Sequence, residues 1–326
     1  MKTIMPAKLK IGDEIRIISP SFSGAYFSKD IINKSIVALT NLGFKVTLSD
    51  NFDEIDYRNS SSCESRVKDF MQAFADKNVK AVICVSGGFV ANELLDYLDY
   101  DLIKENPKIL IGNSDITVLL NSIFSKTGLI TYLGPNLSYF ASDVDEFTLR
   151  SFQDCLMKDS SFNLISSNLI IEKNAQKKLI ARNTKSNQIL NFVPVKGQVL
   201  AGNLCSFNLL QGTDYMPSLK NKILFIEEDC LCGKYTGFEF ERNLESLLQQ
   251  KDADSISGFL FGKFQKKSKV SLSFLKKILL NNLKLQNKLL IINADFGHTF
   301  PISTLPVGGN VDINLNPNLE ILFNIF

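Results

Sequence analysis

Apolar runs and helix-like patterns alternate along the first half of the chain. "EIRIISPS" (14 to 21) is a strand-like run, "SKDIINKSIVALTNLG" (28 to 43) has helical spacing and stops at Gly43, and "KVTLS" (45 to 49) is strand-like again. In "SCESRVKDFMQAFAD" (62 to 76), Val67, Phe70, Met71 and Phe74 fall on one face at i, i+3, i+4, i+7, which predicts a helix. The buried-looking strand "VKAVICVSGG" (79 to 88) then meets two glycines, and "KILIG" (108 to 112) runs into Ser114. A helix over "ITVLLNSIFSKTG" (116 to 128) leads to "LITYLGP" (129 to 135). Strands apolar on both faces, alternating with helices, predict a doubly wound, mostly parallel sheet.

The text changes near residue 160. "SSFNLISSNLIIEKNAQKKLIARNTKSNQ" is rich in Asn, Ser and Lys, and predicts a linker or crossover over 161–195. Beyond it, "GQVLAGNLCSFNLLQGTDY" (197 to 215), "KILFIEED" (222 to 229), "SGFLFGKF" (257 to 264), "KLLIINADFGH" (288 to 298) and the terminal "VDINLNPNLEILFNIF" are mostly short strands, with a helix near "FERNLESLLQQ" (240 to 250). The expected fold is α/β: an N-terminal doubly wound, mostly parallel sheet domain over 1–160, and a smaller strand-rich C-terminal α/β domain over 196–326.

Composition narrows the function classes. The chain has 326 residues, 45% hydrophobic and 21% charged, with a formal net charge of +2. A near-zero net charge provides no electrostatic footprint for nucleic acid or an anionic membrane surface. No stretch approaches 18 uninterrupted apolar residues and the N-terminus has no secretion-signal pattern, so no membrane partner and a cytoplasmic location are expected. Cysteines 63, 84, 155, 205, 230 and 232 are scattered and read as reduced thiols; Cys230 and Cys232 form a C-x-C pair without a second ligand cluster, so no metal is expected.

The candidate chemistry lies at strand ends. In open α/β sheets ligands bind outside the carboxyl ends of strands, and two consecutive strands end in special turns, "SGGF" and "GNSD". Ser114 and Asp115 suit a helix N-cap, and Ser114 equally suits a nucleophile exposed at a strand-to-helix turn beside helix amides. Gly87 and Gly88 suit a tight turn; the stretch lacks the third glycine of a dinucleotide fingerprint, and no cofactor is expected. His298 is the sole histidine, so any imidazole base must be this residue. Glu227 and Glu228 end an apolar strand, where one carboxylate could accept the imidazole N–H.

The segments "LKIGDEIRIISPS", "RVKDFMQAFADKNVKAVICVSGG", "LLDYLDYDLIKENPKILIGNSDIT", "TGLITYLGPNL", "GNL", "KILFIEED" and "GHTFPISTLPVG" resemble, in order from about Leu9 to Gly308, the serine peptidases that include LD-carboxypeptidases and microcin C immunity proteins. The resemblance implies a cofactor-free Ser-His-Glu triad of Ser114, His298 and Glu227, divided between domains, with Glu227 chosen as the first glutamate after the strand. It implies an oxyanion hole from backbone N–H groups of Gly87, Gly88 and Asp115, and a homodimer. The substrate would be a small peptide, with the L,D bond of a murein tetrapeptide foremost, or a peptidyl or aminoacyl nucleotide. Where carboxypeptidases of the family tend to read "GGYG" and "HGP", this chain has "GGFV" and "LGP", and Asn113 stands where an aromatic often precedes the nucleophile. "NELLDYLDYDLIKENPK" leans toward the immunity branch, yet the chain lacks the tryptophan with which that branch stacks on a nucleotide. A nucleotide- or sugar-binding α/β module without catalysis is the non-enzyme alternative.

Overall fold

The structure is a computed structural model that describes residues 2–141, 144–167, 169–173, 179–183 and 187–324, the strands at 169–173 and 179–183 by backbone course only. The chain divides into two compact units. The first comprises Met1–Asp159, Gly212–Pro217 and Thr304–Gly308; the second comprises Ser160–Gln211, Ser218–Ser303 and Gly309–Phe326.

The strands of the first unit up to residue 133 and three of its helices follow the hydrophobic pattern. Up to Asp159 its elements are β1 (Glu14–Ile18), α1 (Lys29–Asn41), β2 (Lys45–Leu48), α2 (Cys63–Ala75), β3 (Val79–Cys84), α3 (Tyr100–Glu105), β4 (Ile109–Gly112), α4 (Thr117–Thr127), β5 (Thr131–Leu133) and α5 (Glu146–Leu156). Small polar residues start the helices: Ser28, Ser62, Asp99 and Asp145 each accept a hydrogen bond from a first-turn N–H of α1, α2, α3 and α5. Gly128, at φ 79°, closes α4 in the left-handed conformation. Strands β3 and β4 are buried on both faces apart from Lys80, the expected consequence of helices packing on either side of a parallel sheet.

The second unit begins with the segment read from sequence as a linker or crossover, 161–195. It contains β6 (Phe162–Asn163), β7 (Leu169–Lys173), β8 (Leu179–Asn183) and β9 (Gln188–Asn191). Residues 168, 174–178 and 184–186 of that reading lie outside the described residues. There follow β10 (Val195–Asn203), α6 (Leu204–Asn208), β11 (Lys222–Glu227), α7 (Thr236–Leu248), β12 (Gly258–Gly262), α8 (Leu272–Asn281), β13 (Leu289–Ala294), then β14 (Leu305–Val307), which belongs to the first unit, and β15 (Asn310–Leu315) and β16 (Leu319–Asn324).

The first unit's sheet has the order β14-β5-β4-β3-β1-β2, parallel throughout except where β14 pairs antiparallel with β5. The second unit's sheet has the order β6-β16-β15-β10-β11-β12-β13-β9, with a parallel centre from β10 to β13 and antiparallel pairs at both flanks. The fold is thus mixed α/β, mostly parallel in its N-terminal part. Among the described residues no helix is long and apolar enough to cross a membrane.

Five helices depart from the hydrophobic reading, among them α3, α5 and α6, which the pattern leaves unassigned. Residues 272–281, unassigned from the pattern, form α8, capped by Ser271 and burying Leu275, Ile278 and Leu279. Helix α7 starts at Thr236 rather than near 240, with Gly237 in its first turn. A Cβ at Gly237 would lie 2.3 Å from Phe274 of α8, so the helix former that sequence reading looks for is excluded there by a tertiary contact.

Candidate active site

In the first unit, β3 and β4 are neighbours, so their carboxyl ends bring the turns after them together. Ser114 has φ 63°, a left-handed backbone that a non-glycine residue adopts at a cost of roughly 1–3 kcal/mol and keeps only where its surroundings impose it. Gly87 is part of those surroundings. A Cβ on it would stand 2.6 Å from Ser114 Cβ and 3.0 Å from Ser114 Oγ, so a side chain there would collide with the serine. Asn136 accepts a bond from Asn113 N at 3.0 Å through its Oδ1, and Asn113 Nδ2 reaches the Tyr139 hydroxyl at 3.3 Å.

The N-cap expectation for Ser114 and Asp115 is corrected. The cap position of α4 is Ile116 and carries no side-chain cap bond, and neither does the short turn at 114–116 that precedes it. The Asp115 carboxylate points elsewhere: its Oδ2 accepts from Ser21 Oγ at 2.6 Å and from Ala91 N at 2.9 Å. Burial pushes its carboxyl up, against the opposing pull of those two bonds.

In the second unit, the end of β11 carries Glu227 and the loop after β13 carries His298. Glu227 Oε2 lies 2.7 Å from His298 Nδ1 and also accepts the His298 backbone N–H at 3.2 Å. The Glu227 side chain is fully buried and the imidazole is 15% exposed. Two glycines make room for this contact. Gly297, at φ 98°, would put a Cβ 2.4 Å from Glu227 Oε2, and a Cβ at Gly262 would lie 2.8 Å from Glu227 Cβ. Burial disfavours the imidazolium, but the charge and bond of Glu227 outweigh it, raising the His298 pKa to about 9.

Glu228 turns away, as successive side chains of a strand must. Its Oε1 accepts from Asn203 Nδ2 at 3.0 Å, while Asn203 Oδ1 caps α6 by accepting from Ser206 N at 3.0 Å. Burial, together with the neighbouring Glu227 charge, pushes Glu228 up to about 8. The histidine loop has its own anchor. Buried Lys263 and Asp295 form an ion pair, Asp295 also accepts from Ser167 N at 2.7 Å, and its carbonyl accepts from Ser303 N at 2.7 Å.

The structure therefore brings Gly87 against Ser114 in one unit and Glu227 against His298 in the other. Sequence reading had not singled out Ser21, Arg66, Asn203, Lys263 or Asp295. Ser21, Arg66 and Asn203 stand in stretches that carry the family resemblance, "IISPS", "RVKDF" and "GNL", whereas Lys263 and Asp295 had no such signal. All six cysteines are free thiols, and among the described residues no cluster of three or more His, Cys, Asp or Glu could hold a metal ion.

Residues 15–134 match the LD-carboxypeptidase N-terminal domain and residues 196–313 the LD-carboxypeptidase C-terminal domain. A putative carboxypeptidase of Bacillus subtilis, YocD, is 39% identical over 311 residues, covering 94% of this chain and 95% of its own. The crystal structure of an MccF-like protein from Bacillus anthracis superposes with a TM-score of 0.96 at 40% identity, covering 99% of this chain and 100% of that one. The microcin C7 self-immunity protein MccF, known from Escherichia coli, superposes in complex with aspartyl sulfamoyl adenosine with a TM-score of 0.86 at 26% identity, covering 98% of each chain.

Proposed function

Since the chain belongs to the LD-carboxypeptidase family, we propose that it is a serine-type hydrolase that cleaves an amide bond next to a free carboxylate, with the L,D bond of a murein tetrapeptide as substrate. Ser114 is the nucleophile, His298 the base and Glu227 the group that orients the imidazole. Ser114 Oγ attacks the carbonyl carbon as His298 takes its proton; backbone N–H groups of Gly87, Gly88 and Asp115 hold the oxyanion. The imidazolium then protonates the leaving amine, and water, deprotonated by His298, releases the acyl group from Ser114.

The observation that carries this reading is the 2.7 Å bond between the chain's sole histidine and a fully buried carboxylate. It fixes one imidazole nitrogen as the N–H donor and leaves the other to act as base. A binding module has no need of such a dyad. The likeness to MccF-like proteins supports a second reading, hydrolysis of an aminoacyl nucleotide, in which the same residues serve the same steps.

Mass-spectrometric product analysis with a murein tetrapeptide and aspartyl sulfamoyl adenosine, side by side, separates the two. Ser114→Ala and His298→Ala should each abolish turnover of whichever substrate is cleaved while leaving the fold intact. The double variant should be scarcely worse than either single one, because residues acting as a unit lose their effect together. A His298→Ala protein near full activity, or losses that multiply, would overturn the triad.

A further inference from the structure

The Gly87–Gly88 turn is enclosed by two segments, Pro20–Phe22 after β1, distant in sequence, and Val90–Ala91 just after the turn itself. Phe22 N donates to Gly87 O at 3.1 Å, and a Cβ on Gly88 would fall 2.3 Å from Ser21 Oγ. Both segments are tied to the same two buried side chains. Asp115 Oδ2 takes the Ser21 hydroxyl and the Ala91 N–H. Arg66, on α2 and 2% exposed, donates through one nitrogen to Pro20 O at 3.1 Å and Val90 O at 2.9 Å. Its Nε reaches Ser61 O at 3.2 Å and Ser62 O at 3.3 Å, and its remaining nitrogen pairs with Glu93, which Arg58 also holds at 2.7 Å.

A buried guanidinium spread over four carbonyls and a carboxylate is costly to desolvate, and two buried charges on either side of one turn leave that turn little freedom. We propose that Asp115 and Arg66 are positioning residues, which hold the Gly87–Gly88 turn at the distance from Ser114 that the developing oxyanion requires. The inference rests on the reading of Ser114 as nucleophile and assigns Asp115 a side-chain role beyond its backbone N–H. Because Asp115 follows Ser114 directly, its anchored carboxylate also helps to keep the serine at its left-handed φ.

Positioning makes a demand that mere structural support does not: kcat must fall while KM and folding hold. A misplacement of about 1 Å costs about 10²-fold in rate. Asp115→Ala and Arg66→Ala should each lower kcat by about that factor with KM within about threefold of wild type, and the double variant should match the worse single one. Asp115→Asn should restore most of kcat, since an amide oxygen still accepts from Ser21 and Ala91. Should Asp115→Ala not fold, Ser21→Ala removes one of the same bonds and should lower kcat by about tenfold at unchanged KM. Unchanged kcat in Ser21→Ala and Arg66→Ala, or equal losses in Asp115→Asn and Asp115→Ala, would overturn the inference. Ser114→Ala measured in parallel separates the two failures: an active Ser114→Ala protein refutes the proposed function, whereas an inactive one beside normal Arg66→Ala and Ser21→Ala proteins refutes only the positioning role.

Discussion

The two units hold the proposed nucleophile and the proposed base in opposite ways. In the first, the backbone sets the direction: Ser114 sits at φ 63° where a bare glycine leaves it room, and Arg66 beside the turn bonds mainly to main-chain carbonyls. In the second, His298 is aimed by a side-chain contact, the 2.7 Å bond to Glu227, in a loop that Gly297 lets pass over the carboxylate. A serine has one short torsion and no charge, so its direction is set by where its Cα points. An imidazole has two nitrogens to distinguish and a proton to hold, so it needs a charged partner. The first arrangement should be sensitive to added volume, the second to altered charge.

The largest test of that contrast is Glu227→Gln against Glu228→Gln. The first should lower kcat by on the order of 10⁴-fold with KM little changed, since the wrong tautomer is favoured; the second should cost less than about tenfold, because Glu228 bonds to Asn203 and not to the imidazole. Steady-state kinetics beside thermal unfolding decide it, and a severe loss confined to Glu228→Gln would move the orienting role one residue along.

Gly87→Ala comes next. Its methyl group would overlap Ser114 Cβ at 2.6 Å and the Asn113 carbonyl at 3.1 Å, so either the serine or the turn must shift; kcat should fall by about 10²-fold, while the His298 dyad keeps its titration. A fully active Gly87→Ala protein would show that the turn at Ser114 does not depend on a bare position 87.

The smallest effect is in pH dependence. With the His298 pKa raised to about 9, the neutral base is scarce at pH 7, so kcat/KM should climb with pH to a limb near 9, and Glu227→Gln should move that limb down toward 6.5. The folded-state value lies above the ordinary one. The pair's contribution to stability is therefore fully present below pH 6.5 and lost as pH rises through about 9. The difference in unfolding temperature between wild type and Glu227→Gln should accordingly be larger at pH 6 than at pH 10, and a constant difference would mean that the charge on the imidazole adds nothing.

Legibility followed sequence distance. Alternating apolar strands and amphipathic helices marked β1 to β5 and most of their helices, because burial on a sheet face imposes a period that survives in a single sequence. Helices α3, α5, α6 and α8 went unassigned, and the start of α7 was hidden by Gly237, a residue that lies against Phe274 of another helix. The strand-end serine and the sole histidine stood out through position and rarity, yet Asp115 looked like a helix cap until its carboxylate was found on Ser21 and Ala91.

What the sequence by itself determined is the periodicity of the elements, the α/β class, and which side chains are chemically able to act: one imidazole, a serine at a strand end, and two carboxylates at another. These depend on residue type and local spacing alone. Only the tertiary structure decided which carboxylate meets the imidazole, which glycine must stay bare beside the serine, and what Arg66 and Asp115 hold. Apart from the bonds of Arg66 to Ser61 and Ser62, those contacts join residues 24 to 94 positions apart, 71 for Glu227 and His298, and a contact at such separation is set by strand order and register, which no local pattern encodes.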